Sequence, residues 1–157
     1  MRTQQTFLTP EGYQKLEQEM DYLRTVRRWE VAQRLEQALP EGDILENGEL
    51  EDARNDQAFV EGRILALKYI LNNATIIQET NSRGTVELGN YITVVDLSGD
   101  GTPETYRIVG SPEADPILGN ISNESPLGRA LMGQKVGDRV VIHAPDGEMA
   151  FEILGIR

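Results

Sequence analysis

Between Leu50 and Ala74 the apolar side chains fall at Leu50, Ala53, Val60, Ile64, Leu67, Leu71 and Ala74. Gln57 fills the one remaining place in an unbroken alternation of three- and four-residue steps. That spacing is the seam of a coiled coil, and it commits the segment to a helix with a single apolar row to bury. A partner row precedes it. Thr9-Pro10-Glu11 reads as a helix start, with a hydroxyl N-cap, a Pro where its missing N–H does no harm and an early acid. Tyr13, Leu16, Met20 and Leu23 follow at three-or-four spacing. The row slips near Trp29, resumes with Val31 or Ala32, Leu35 and Leu39, and is stopped by Pro40 and Gly42. Two helices with one apolar row each, joined by a short connection, are expected to pair as an antiparallel coiled-coil hairpin. At 1.5 Å per residue, limbs of ~30 residues reach roughly 45 Å, so the hairpin is expected to project.

From about residue 80 onward the period changes to two. Residues 91–95, 105–109, 139–143 and 149–154 are rich in β-branched and aromatic side chains and predict strands. Asp146-Gly147 predicts a tight turn joining the last two. Pro126 through Met132 predicts a short helix, with Ser125 as its cap and Gly133 as its stop. The expected fold class is α+β, with an N-terminal helical hairpin over 1–78 and a smaller α+β domain over 79–157, the boundary falling between Asn73 and Arg83.

Composition excludes several chemistries. The 157 residues include no Cys, which removes disulfides, thiolate metal sites and thiol nucleophiles together. The lone His143 rules out any site that needs two imidazoles. No apolar run approaches the ~20 residues of a membrane span, and the polar start is unlike a signal peptide, so a soluble cytoplasmic protein is expected. A net charge of −11 argues against generalised binding to a nucleic-acid backbone. The charge is unevenly placed: Arg24, Arg27, Arg28 and Arg34 face Glu30 alone, then acids dominate from Glu36 to Asp56.

The connection between the helices, PEGDILENGELED over 40–52, carries six carboxylates and no Lys or Arg. Asp43 and Glu46 are three apart, close enough on a helical turn to converge on one cation. Carboxylates suit a hard ion such as Mg²⁺, which takes one or two protein ligands and completes its shell with water or phosphate. The plainer reading is that Glu46, Glu49, Glu51 and Asp52 complement the positive end of the second helix. Nothing nearby supplies a fuller cage, so tight binding by this chain alone is not expected. Asp96 through Gly101 begins like a calcium loop, but its twelfth position is Arg107 where a bidentate Glu is required. The arginines of the first helix, with Arg54 and Arg63 on the second, either touch phosphates or an acidic partner or form an ordinary solvated face. His143 alternates with the apolar positions of its strand and is expected to face solvent. No nucleophile with a partner, phosphate-cradling loop or dinucleotide fingerprint is present, which disfavours a self-contained enzyme.

The order of motifs resembles the bacterial Gre transcript-cleavage factors over almost the whole chain, its GreA branch more than the GreB branch, whose stem is more basic. The resemblance is carried by Leu8-Thr9 with Gly12 and Leu16, Val26-Arg27-Arg28, Gly42 through Glu49, Ala53-Arg54 and Glu61-Gly62-Arg63-Ile64. The second half adds Thr105 through Gly110, Ser125 through Gly133 and Val136-Gly137-Asp138. The resemblance implies a coiled coil followed by an FKBP-like domain, and a partner, bacterial RNA polymerase, whose secondary channel the coiled coil threads. It implies that Asp43 and Glu46 share Mg²⁺ with the polymerase beside the 3′ end of the nascent RNA in a backtracked complex, so that the polymerase cuts its own transcript. Arg27, Arg28 and Arg54 become candidates for contacts to transcript or channel, and Ser125 and Pro126 for the docking surface. A monomer, working without a membrane, is expected. Leu45, Gly48 and Leu50 stand where the family commonly has Lys, Ala and Tyr, which leaves the metal pair intact but bears on cleavage rate. The rivals are a Gre-like inhibitor that blocks the channel and a coiled-coil adaptor for some other partner. A stand-alone prolyl isomerase is the weakest, since fold does not transfer activity.

Overall fold

The computed structural model describes residues 5–39, 48–78 and 84–157. They form two compact units, one of residues 13–73 and one that joins 1–12 to 74–157.

The first unit is the helical hairpin. One limb runs through α1 (Pro10–Tyr22), a π-helical turn (Leu23–Arg27) and α2 (Arg28–Ala38); the other is α3 (Gly48–Asn73). Leu50, Ala53, Val60, Ile64, Leu67 and Leu71 of α3 are buried, so the coiled-coil row holds at every apolar position from 50 to 71, and Gln57 is exposed. On the other limb the buried positions are Leu16, Leu23, Val31 and Ala38. Their intervals are seven, eight and seven, one residue too many for a regular seam. The π turn absorbs the excess, with the Arg28 N–H donating to the Leu23 carbonyl in a ring one residue wider than that of an α-helix. The Thr25 hydroxyl donates to the Asp21 carbonyl at 2.7 Å where the ladder changes. This is the physical content of the slip near Trp29, which is itself 63% exposed. Val31 rather than Ala32 resumes the row, and the row ends on Ala38 rather than Leu39. Leu39 precedes Pro40 and takes the extended conformation that a following Pro imposes.

The second unit is built on a five-stranded sheet of order β5-β4-β3-β7-β6. Its strands are β3 (Tyr91–Asp96), β4 (Pro103–Val109), β5 (Asn120–Ser122), β6 (Arg139–Ala144) and β7 (Gly147–Ile156). All neighbours are antiparallel except β4 and β5. Ile92, Val94, Ile108, Ile121, Val140, Phe151 and Ile153 turn one face inward, and α4 (Pro126–Leu131) covers it with Leu131. β7 carries one extra residue against β3: Thr93 pairs with Gly155 and Val94 with Ile153, leaving Leu154 unpaired and 45% exposed. Gly147, at φ 130°, closes the β6–β7 hairpin as its Asp-Gly turn predicts. The Asp96–Gly101 segment is the strand connection: Asp96 accepts from the Ser98 N–H and Asp100 from that of Thr102, which holds the Asp100 carboxyl below its usual range.

Two short strands invisible to periodicity belong to this unit. β1 (Phe7–Leu8) lies parallel to β2 (Thr75–Ile76), tied by Thr75 N–H to Thr6 carbonyl at 2.8 Å and Ile77 N–H to Leu8 carbonyl at 2.7 Å. Thr9 caps α1, its hydroxyl accepting from the Gly12 N–H at 3.0 Å. Glu113 then grips the cap with both oxygens, accepting from the Thr9 N–H at 2.7 Å and hydroxyl at 2.6 Å. A Cβ on Gly12 would stand 2.0 Å from that carboxyl, and one on Gly110 only 1.7 Å from the Phe7 carbonyl oxygen.

Gly110→Ala is expected to destabilise by ~1–3 kcal/mol, because backbone must move to admit the methyl group. Gly62, inside α3 with nothing within 4 Å of an added Cβ, has no such obstacle. Gly62→Ala is expected to stabilise by ~0.5–1 kcal/mol, and urea unfolding should move the two midpoints in opposite directions. Tyr106 donates its hydroxyl to Glu104, and that bond, with burial and the nearby acids, pushes its pKa up to about 12. The unfolded chain then loses the proton first, so stability present below about pH 10 declines as pH rises toward 12. Ultraviolet titration should find this late phenol, and Glu104→Gln should bring it down.

Candidate functional site

The ion pairs across the hairpin settle how its limbs run. Glu19 meets Arg63, Arg28 meets Glu61, and Arg34 meets Asp56, so residue numbers climb on one limb as they fall on the other. The limbs are therefore antiparallel. Arg28 holds both oxygens of Glu61, through Nε and Nη2 at 2.8 Å each. Arg63 grips Glu19 the same way at 2.7 and 3.1 Å, which raises the pKa of its guanidinium. Arg27 divides itself between Glu30 at 3.1 Å and Asp56 at 3.6 Å.

Two of the three arginines picked from the sequence thus have acids of the hairpin beside them. Arg54 is exposed and has no ion pair among the described residues. The partners Glu19, Asp56 and Glu61 were not foreseen. Their signal was present, since Asp56, Glu61 and Arg63 flank the buried Val60 and Ile64, where charges reach across a seam.

The acid pair Asp43 and Glu46 lies outside the described residues. What surrounds it in sequence is defined: Ala38 closes α2, and α3 is described from Gly48. Glu49 and Glu51 occupy the first turn of α3 and are exposed, where negative charge complements the helix dipole. The plainer reading of the acids fits these two, while its extension to Glu46 falls outside the described residues. Leu50 is 4% exposed and belongs to the seam. Among the described residues no group of three or more His, Asp or Glu side chains is placed to hold a metal ion. Nor is any described helix long and apolar enough to cross a membrane.

At the other end of the chain, Ser125 caps α4. Its hydroxyl accepts from the Gly128 N–H at 3.1 Å and donates to the Ser122 carbonyl at 2.6 Å, with Pro126 exposed in the first helical position. Gly128 lets the two segments touch, since a Cβ there would be 2.0 Å from the Ser122 oxygen. His143 is exposed on β6, its Nδ1 at 3.1 Å from Glu148 across the hairpin.

An ion-paired helical hairpin with an acid-rich connection, in a chain whose other unit is a five-stranded mixed sheet, defines a hairpin-and-sheet α+β protein. Two family models divide it in the same order. "Transcription elongation factor, N-terminal" matches residues 6–76, and "Transcription elongation factor, GreA/GreB, C-term" matches 80–157. The chain belongs to the GreA/GreB family of transcription elongation factors. It is 52% identical to the transcription elongation factor GreA of Acetivibrio thermocellus, over 96% of this chain and 94% of that one. Its identity to GreA of Bacillus cytotoxicus is 47% over the whole of both chains. Among solved structures, the GreA factor homolog 1 protein of Thermus thermophilus is 30% identical, covering 98% of this chain and 99% of that one, with a TM-score of 0.45.

The Arg28–Glu61 pair is exposed, Arg28 by 46% and Glu61 by 49%, so solvent screens it. A double-mutant cycle of Arg28→Ala and Glu61→Ala should return a coupling of ~0.2–1 kcal/mol that shrinks as salt is raised.

Proposed function

We propose that this chain binds bacterial RNA polymerase, reaches its active centre through the secondary channel and stimulates the polymerase's own cleavage of backtracked RNA. The observation that carries the reading is the family match across both halves, in a chain that keeps two carboxylates, Asp43 and Glu46, between the limbs of its hairpin. By this reading the chain catalyses nothing unaided. It works in the cytoplasm, as a monomer, against the 3′ end of the nascent transcript.

Two carboxylates are a sparse but chemically suitable donor set for Mg²⁺, which keeps several sites for water and other ligands. Asp43 and Glu46 would hold the ion jointly with carboxylates of the polymerase, and the bound ion would supply activation of water and stabilisation of the departing oxygen. The chain's own contribution is placement. Its limbs carry the pair, and solvent keeps the adjoining acids tolerable until they meet the polymerase. With Leu45 between the acids, no lysine ammonium competes for them. Ser125 and Pro126 stand on the docking side of the proposal, offered by a capped turn. Arg27, Arg28 and Arg54 are secondary contacts to transcript or channel; of these Arg54 is the one with no ion pair among the described residues.

Adding the protein to backtracked elongation complexes with Mg²⁺ and following RNA length tests this directly. Shortening is expected, with Asp43→Asn and Glu46→Gln each slowing it at least ~tenfold, the order expected when a metal ligand is lost. Undiminished shortening in both variants refutes the assignment of the acids. Arrested extension without shortening would turn the reading toward a channel-blocking inhibitor.

A further inference from the structure

A second place on the molecule, wholly within the sheet unit, has the makings of a ligand site. Tyr91 opens β3 between two arginines. Arg107 sits directly opposite it on β4, and Arg157 exchanges backbone hydrogen bonds with it at 2.8 and 2.9 Å from the end of β7. Both guanidiniums lie against the Tyr91 ring, their carbons 5.1 and 5.8 Å from its centre. Arg107 is further fixed by donating Nε–H to the Gly89 carbonyl at 3.2 Å, and its side chain is only 24% exposed.

Two like charges gathered on one ring repel each other, and the ring face offsets this only in part. Among the described residues of the surrounding cavity the one acidic side chain is Glu11. It approaches Arg107 no closer than 3.9 Å and is 70% exposed. That is a loose, single-pronged contact where a guanidinium is built for two parallel bonds. The cavity is about 260 Å³ and is walled on its apolar side by Pro10, Ile77 and Leu88. A cavity of about 150 Å³ admits a benzene ring.

We propose that this cavity binds a compact organic anion, a carboxylate or phosphate monoester carried on a flat apolar body. Arg107 and Arg157 grip the anionic group, Tyr91 orients both arginines, and the body rests on Pro10, Ile77 and Leu88. Glu11 occupies the arginine's open side in the empty state and swings away when the anion arrives. The proposal is independent of the acid pair at 43 and 46.

The test is titration of the full chain with phenyl phosphate, benzoate and inorganic phosphate, followed by calorimetry and by amide chemical shifts. Saturable one-to-one binding of phenyl phosphate or benzoate is expected, with shifts centred on Tyr91, Arg107 and Arg157. The tighter of the two identifies the anionic group. Inorganic phosphate, lacking the body, should bind at least ~fivefold more weakly. Arg107→Lys keeps the charge but loses the fork, and should weaken binding about tenfold while the melting temperature holds. Glu11→Gln should tighten binding several-fold by removing the competitor. Equal binding of all three anions overturns the proposal, as does wild-type affinity in Arg107→Lys or Arg157→Ala, or no saturation with either organic anion.

Discussion

Register between the two limbs is the constraint from which the rest of the hairpin follows. The buried row of α3 steps evenly, while the row on the other limb runs seven, eight, seven from Leu16 to Ala38. In an unbroken α-helix the surplus residue would turn every later side chain about 100° around the axis and carry Val31 and Ala38 out of the seam. The π turn at Leu23–Arg27 takes that rotation into a single wide ring. With phase restored, Arg27, Arg28 and Arg34 come alongside Asp56 and Glu61, and the ion pairs follow from the packing rather than creating it.

Much of this was legible from side-chain spacing, and the remainder was not for identifiable reasons. The α3 row could be read residue by residue because only one phase satisfies it. The slip on the first limb was equally visible, but periodicity reports that the phase changes without saying which backbone device absorbs the change. Val31 and Ala32 are both apolar, so only packing could choose between them. The long strands of the sheet show period two; β1, β2 and β5 span two or three residues, too few to show any period, and exist because distant partners meet them. For the candidate site, the charges were legible and their partners were not. Arg28 finds Glu61 across 33 residues of chain, a pairing that presupposes the register. Asp43 and Glu46 remain a pair known from sequence, outside the described residues.

Those ion pairs also bear on the division of labour in the proposed role. Arg27, Arg28, Arg34 and Arg63 each meet acids within the hairpin. Guanidiniums so engaged brace the limbs first and are available to RNA only by exchanging partners. The acids at 43 and 46 therefore carry the chemical burden of the reading, and the limbs serve as their support.

The short parallel ribbon of β1 and β2 has an architectural corollary. The chain departs from the sheet unit after Gly12 and re-enters it at Ala74, close to the paired strands β1 and β2, so the sixty-odd residues between are topologically a cassette inserted into a host. Exit and entry are held by Thr9, Glu113 and the ribbon's own hydrogen bonds, all on the host's side. A change confined to the inserted hairpin thus leaves the strand pairing that ties the host's two chain segments together untouched.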